Sequence, residues 1–122
     1  MMENQKQRMG RLAEDAAADF LEKQGFTILE RNYTAKVAEI DIIARDHDTL
    51  VFVEVKARKR FSRTGPREAV SWAKQQKIIM GARFFMREKE ISDLRVRFDV
   101  VALYEENGTF QIELIRNAFQ TD

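Results

Sequence analysis

Two short apolar runs broken by charge constrain this chain more than anything else in it. Ile40-Asp41-Ile42-Ile43 lies within residues 38–45, AEIDIIAR, and Val53-Glu54-Val55-Lys56 lies within residues 50–57, LVFVEVKA. Both segments read as strands, the second rich in β-branched residues. Asp46-His47-Asp48-Thr49 between them reads as a hairpin turn. Pairing about a turn centred on His47 and Asp48 sets Asp41 opposite, or nearly opposite, Glu54, with Cβ atoms roughly 5 Å apart. Residues two apart on a strand share a face, so Glu54 and Lys56 point the same way. Two carboxylates that close repel and are costly to desolvate unless a positive charge offsets them. A structural ion-pair network is the plain reading of any one of these residues. Asp41 argues against it for the three together, because a purely structural position between isoleucines would more cheaply hold another apolar side chain.

The rest of the chain supplies a frame for that hairpin. Residues 9–24 place Leu12, Ala13, Ala16, Ala17, Phe20 and Leu21 on one helical face, and Gly25 is a stop signal. Residues 26–31 read as a strand. Pro66 sits where a second helix can begin, with Glu68 in its first turn, and that helix is expected over residues 66–88. Its face is drawn through Trp72, Gln75, Ile79, Ala82 and Met86. Residues 95–104 and 109–116 are two more strands about Asn107-Gly108, a strong turn signal. The expected order is αβββαββ, an α/β or α+β arrangement with helices covering the sheet. At 122 residues the chain is one domain's worth, residues 1–122.

Composition removes most competing chemistries. With no Cys there is no thiolate metal site, cysteine nucleophile or disulfide framework. The single His, His47, rules out a poly-His site and leaves a Ser/His/Asp triad improbable. A metal would therefore take oxygen ligands, which suits magnesium, manganese or calcium. No apolar run approaches a membrane span, and residues 1–6 show no apolar signal region, so a cytoplasmic location is expected. The net charge of +1 points to no partner, but residues 56–67 carry six basic side chains and no acid. That window is +6 and leaves the remainder at −5. Such a loop is either solvated or a contact for a phosphate backbone.

A divalent cation held by Asp41 and Glu54, with the Val55 backbone carbonyl as a further oxygen donor, would neutralise the pair and polarise a phosphoryl oxygen. Lys56 would orient the attacking water or stabilise developing negative charge. Arg58, Lys59, Arg60, Arg63 and Arg67 are the candidate backbone contacts, joined by Lys74 and Lys77 on the second helix. Glu14 lies at the edge of the first helix's apolar face, where it either looks toward the sheet or faces solvent. Gln75, in the second helix's stripe, and Glu39 are auxiliary candidates. Asp99, which interrupts Phe98-Asp99-Val100, reads as a structural partner for an Arg or Lys. Phe61 either stacks on a base or folds back, and Trp72 is expected in the core.

Asp41, twelve intervening residues and Glu54-Val55-Lys56 resemble the PD-(D/E)xK nuclease signature, with Ile-Asp for Pro-Asp. The wider string is more specific. It comprises Gly10-Arg11-Leu12-Ala13-Glu14, Gly25-Phe26, Arg31-Asn32, Glu39 through Ala44, Val51 through Arg58, Arg97 through Val101, and Asn117-Ala118-Phe119. Over nearly the whole chain this resembles the YraN-like uncharacterised bacterial family, family 0102, and more distantly the archaeal Holliday-junction resolvases. The resemblance implies a restriction-endonuclease-like core around a mixed sheet. It also implies a magnesium- or manganese-dependent endonuclease acting on DNA, branched or single-stranded, and a homodimer able to cut two strands. It places Glu14 at the metal site. One departure is Ala38, where the family usually has Gly; a glycine there would let a backbone approach DNA or take positive φ, and Ala38 restricts both. The alternatives are a non-catalytic nucleic-acid-binding module and a protein-interaction domain.

Overall fold

The computed structural model describes residues 2–36, 38–59 and 70–121. Its elements are α1 (Gln5–Lys23), β1 (Thr27–Ala35), β2 (Ala38–Asp46), β3 (Thr49–Lys59), α2 (Trp72–Glu88), β4 (Arg95–Glu106) and β5 (Thr109–Phe119). The five strands form one sheet in the order β1-β2-β3-β4-β5. β3 and β4 are parallel and every other neighbouring pair is antiparallel, so the sheet is mixed. The parallel pair follows from the α2 crossover between them. The expected α+β order is therefore the observed one.

Each helix covers one face. Ala13, Ala17, Ala18 and Leu21 of α1 pack with Ile42, Ala44, Val51, Val53, Val101 and Leu103. Ile78, Ile79, Ala82 and Phe85 of α2 pack with Ile40, Ile43, Leu50, Phe52, Phe98 and Val100 on the other side. Both turns behave as their residues demand. Asp46 pairs with Thr49 around His47-Asp48, with His47 at φ 56°, and Asn107 and Gly108 both hold positive φ in the β4–β5 hairpin.

The sequence-based boundaries shift for local reasons. α1 begins four residues before its apolar period, because Asn4 and Gln7 form a reciprocal capping box. α2 is capped by Ser71, whose Oγ accepts from the Lys74 N–H at 3.2 Å, so the helix starts at Trp72 rather than near Pro66, which lies outside the described residues. The face drawn for α2 is offset rather than reversed: Ile79 and Ala82 are buried and Met86 packs against the core as expected, but Ile78, Gly81 and Phe85 are buried with them and Trp72 is 70% exposed rather than core. Leu12 of α1 is likewise exposed.

Ala38 is buried beneath α2, facing Gly81, where an added Cβ would come within 3.0 Å of the Ala38 Cβ. Ala38 thus constrains how α2 packs on the sheet.

Candidate functional site

The site exists because two strands part. The β2–β3 ladder runs from Asp46↔Thr49 to Ile42↔Val53 and stops there, although β2 begins four residues earlier at Ala38 and β3 continues to Lys59. Asp41 and Glu54 would form the next pair. Alternation fails at the same place, since Ile40 packs on the α2 side and Ile42 on the α1 side. The Asp41 carboxylate turns toward β3, where its Oδ2 accepts the Val55 N–H at 2.8 Å. An extended residue sends its N–H and C=O to the same side, so the Val55 carbonyl also faces the opened wedge.

Glu54 shares the α2 side of β3 with Phe52 and is 4% exposed. Two ammonium groups serve it. Lys74 Nζ lies 2.8 Å and Lys56 Nζ 3.6 Å from Glu54 Oε1. Lys74 reaches it because 74, 78, 81 and 85 lie on one helical stripe, which faces the sheet together with Ile79 and Ala82. Lys74, expected beside the basic loop, is therefore a central member of the cluster.

The electrostatics show a pair short of positive charge. Burial, and then the neighbouring Glu54 charge, push the Asp41 carboxyl up to about 7 against the opposing pull of the Val55 N–H. Burial, followed by the Lys74 charge, holds Lys56 below the ordinary lysine value. Burial also acts to lower Lys74, but its hydrogen bond and charge interaction with Glu54 win, and the net shift is upward.

Two recesses meet at this wedge, about 380 Å³ on the α2 side and about 400 Å³ on the α1 side. Both are lined by Glu39, Asp41, Glu54 and Lys74, so the splayed strands open the site to both faces of the sheet. Lys77 lines the first; Glu14, Val55, Lys56 and Arg58 line the second. A further recess of about 520 Å³ lies elsewhere, between α2 and the β4–β5 pair, with Arg83 as its single charged lining residue among the described residues.

Other expected site residues are placed differently. Glu14 lines the wedge, but its Oε1 accepts from Asn32 Nδ2 at 2.8 Å and Arg31 Nε at 3.2 Å. Among the described residues no group of three Asp, Glu or His side chains stands close enough to hold one ion, so Glu14 does not complete a three-carboxylate set as it is placed. Gln75 donates to the Val70 carbonyl and lines neither recess at the wedge. Lys59 lies in a separate shallow groove with Arg8 and Glu105. Arg60, Phe61, Arg63 and Arg67 fall outside the described residues. Asp99 is fully buried and held by Arg97, as expected of a structural partner.

Fold and site define an α+β domain in which one mixed sheet, covered on both faces, is opened at an acidic wedge with two lysines. No helix among the described residues is long and apolar enough to cross a membrane. Residues 13–103 match the model of uncharacterised protein family UPF0102. A UPF0102 protein of Desulforapulum autotrophicum is 76% identical over 121 residues, covering 99% of this chain and 100% of the relative. Those of Desulfosudis oleivorans and Clostridium botulinum (strain Loch Maree) are 46% and 42% identical, covering 99% and 92% of this chain and 97% and 94% of the relatives. The chain belongs to family UPF0102.

Proposed function

We propose that this protein is a magnesium- or manganese-dependent endonuclease that hydrolyses phosphodiester bonds in DNA, with branched and single-stranded forms as the substrates to test first. The observation that carries the reading is the wedge itself. The chain breaks its own ladder to set two carboxylates and a backbone carbonyl around an open space, where a closed sheet would have buried apolar side chains. Such a donor set fits a hard divalent ion, which keeps several waters and takes one or two protein carboxylates.

Asp41, Glu54 and the Val55 carbonyl would hold the ion, and when bound it supplies Lewis acidity and a more acidic water. Lys56 stands on the same face as Glu54, and its depressed basicity suits it to orient or exchange a proton with the attacking water. The water oxygen bonds to phosphorus, the P–O bond to one sugar breaks, and the departing oxygen takes up a proton. Arg58, at the rim, would meet the phosphate backbone. Glu14 would assist by ordering Asn32 and Arg31 at the wall, or as a further ligand after releasing them. A junction-cutting enzyme must cleave two strands, so the reading carries a homodimer.

Metal-dependent cleavage of labelled branched, single-stranded and linear DNA by wild type, Asp41→Ala, Glu54→Ala and Lys56→Ala tests it. Activity in wild type with a loss of about 100-fold or more in each variant is expected. Equal rates in all four would refute it. Salt-sensitive binding without turnover would instead identify a non-catalytic nucleic-acid-binding module.

A further inference from the structure

Glu54 is nearly fully buried, and the ammonium that neutralises it most closely comes from the helix, not from the strand that carries the signature lysine. Lys74 Nζ is at 2.8 Å where Lys56 Nζ is at 3.6 Å. The helix that carries Lys74 is anchored, since Ile78, Gly81 and Phe85 on the same stripe are packed on the sheet. Its side chain is 42% exposed, so its head spans from the Glu54 oxygen to the open recess. Asp41, across the wedge, spends its hydrogen bond on the Val55 N–H.

A divalent ion taken by Asp41 and Glu54 would compete with Lys74 for the same carboxylate. The two cations repel at that range, and the ammonium, on a flexible four-carbon stem, is the one free to move. The recess it would swing into is where a phosphate must lie for the ion to act on it.

We propose that Lys74 is an exchangeable counter-cation: it pairs with Glu54 in the metal-free protein, yields that carboxylate to the divalent ion, and then pairs with a substrate phosphate. This rests on the metal-dependent reading of the wedge and adds an order of events to it. Metal loading releases the group that grips the phosphate, so ion and polynucleotide bind cooperatively.

Calorimetric titration of Mn²⁺ into wild type, Lys74→Met and Lys74→Arg, without DNA, separates the two claims. Lys74→Met is expected to bind Mn²⁺ about tenfold more tightly than wild type, as the loss of a charged hydrogen bond that competes with the ion implies. Lys74→Arg, which keeps the competitor, should stay near wild type. Binding of a labelled single-stranded oligonucleotide in Ca²⁺, followed against salt, should lose about one phosphate contact in Lys74→Met and none when the comparison is made in EDTA. Equal or weaker Mn²⁺ affinity in Lys74→Met would overturn the exchange while leaving the metal site standing. No Mn²⁺ binding by wild type would remove the site and the exchange together. Thermal melts of the metal-free variants check that each is folded.

Discussion

The sheet carries two clusters of acidic residues, one at each end of β2, and they are solved in opposite ways. At the turn end, Asp99 is fully buried and Asp46 half-buried. Arg97 grips Asp99 with Nε at 2.9 Å from Oδ1 and Nη2 at 3.0 Å from Oδ2, and also reaches Asp46 Oδ2 at 3.0 Å. Arg116 adds a second contact to Asp46 at 3.0 Å, and the Asn117 N–H donates to Asp99. Both guanidinium groups lie over the Phe26 ring, at 5.7 and 5.4 Å. Planar donors matched to planar carboxylates and stacked on an aromatic ring leave no room for another cation. At the other end two carboxylates meet two point-charge ammonium groups across a gap open to solvent on both faces. The contrast teaches that a buried acid does not by itself point to function; the wedge is the candidate because its acids stand beside an open recess, whereas Asp99 is closed in by Arg97.

The contrast breaks most visibly in stability. Asp99→Ala strands the Arg97 charge and should lower the unfolding free energy by about 3–5 kcal/mol in urea titration. Asp41→Asn should do the reverse in metal-free protein at pH 8, raising stability by about 1–2 kcal/mol, because it removes a charge that the fold disfavours. A loss of stability in Asp41→Asn of the size seen in Asp99→Ala would mean that both clusters are structural.

The two ends should also answer pH with opposite signs. The Asp41 carboxyl is raised from 3.8 to about 7, so the folded chain keeps a proton that the unfolded chain has already released. Metal-free stability therefore falls as pH rises across that window, and Asp41→Asn should flatten the decline. Asp46 is held down from 3.8 to about 2, by its hydrogen bond with the His47 ring first and by Arg97 and Arg116 after it. Its contribution is complete above 3.8 and is lost as pH falls through about 2. Melting temperatures of wild type and Asp41→Asn across this range read both limbs.

The smallest effect concerns how α2 is seated over the wedge. Alanine in a helix interior normally gains about 1 kcal/mol over glycine. Gly81→Ala should forgo that gain, since its Cβ would press on Ala38 and Ile40, and adding Ala38→Gly should restore it. A plain gain in Gly81→Ala, read in thermal melts, would show that the helix has slack above the site.

Much of this was legible in the residues. The hairpin's turn sets the register from Asp46↔Thr49 to Ile42↔Val53, one step short of Asp41 and Glu54, and Asn107-Gly108 announces the second hairpin. The α2 phase was not legible. Ile78-Ile79 and Phe84-Phe85 place apolar side chains on neighbouring stripes, so periodicity alone allowed two rotations of the helix, and the wrong one turned Trp72 inward and Lys74 outward. The loss of alternation at Asp41 was also hidden, because Ile40 and Ile42 look alike in a sequence whether they face one helix or two. Asn4 and Gln7 carry a capping signal that the polar residues around them mask.

The claim on which the rest depends is that Asp41 and Glu54 together hold a divalent ion. Calorimetric titration of Mg²⁺ and Mn²⁺ into wild type, Asp41→Asn and Glu54→Gln tests it without recourse to any substrate. The account predicts saturable binding in wild type and its loss in each variant while both remain folded. Identical heats in all three proteins would contradict it.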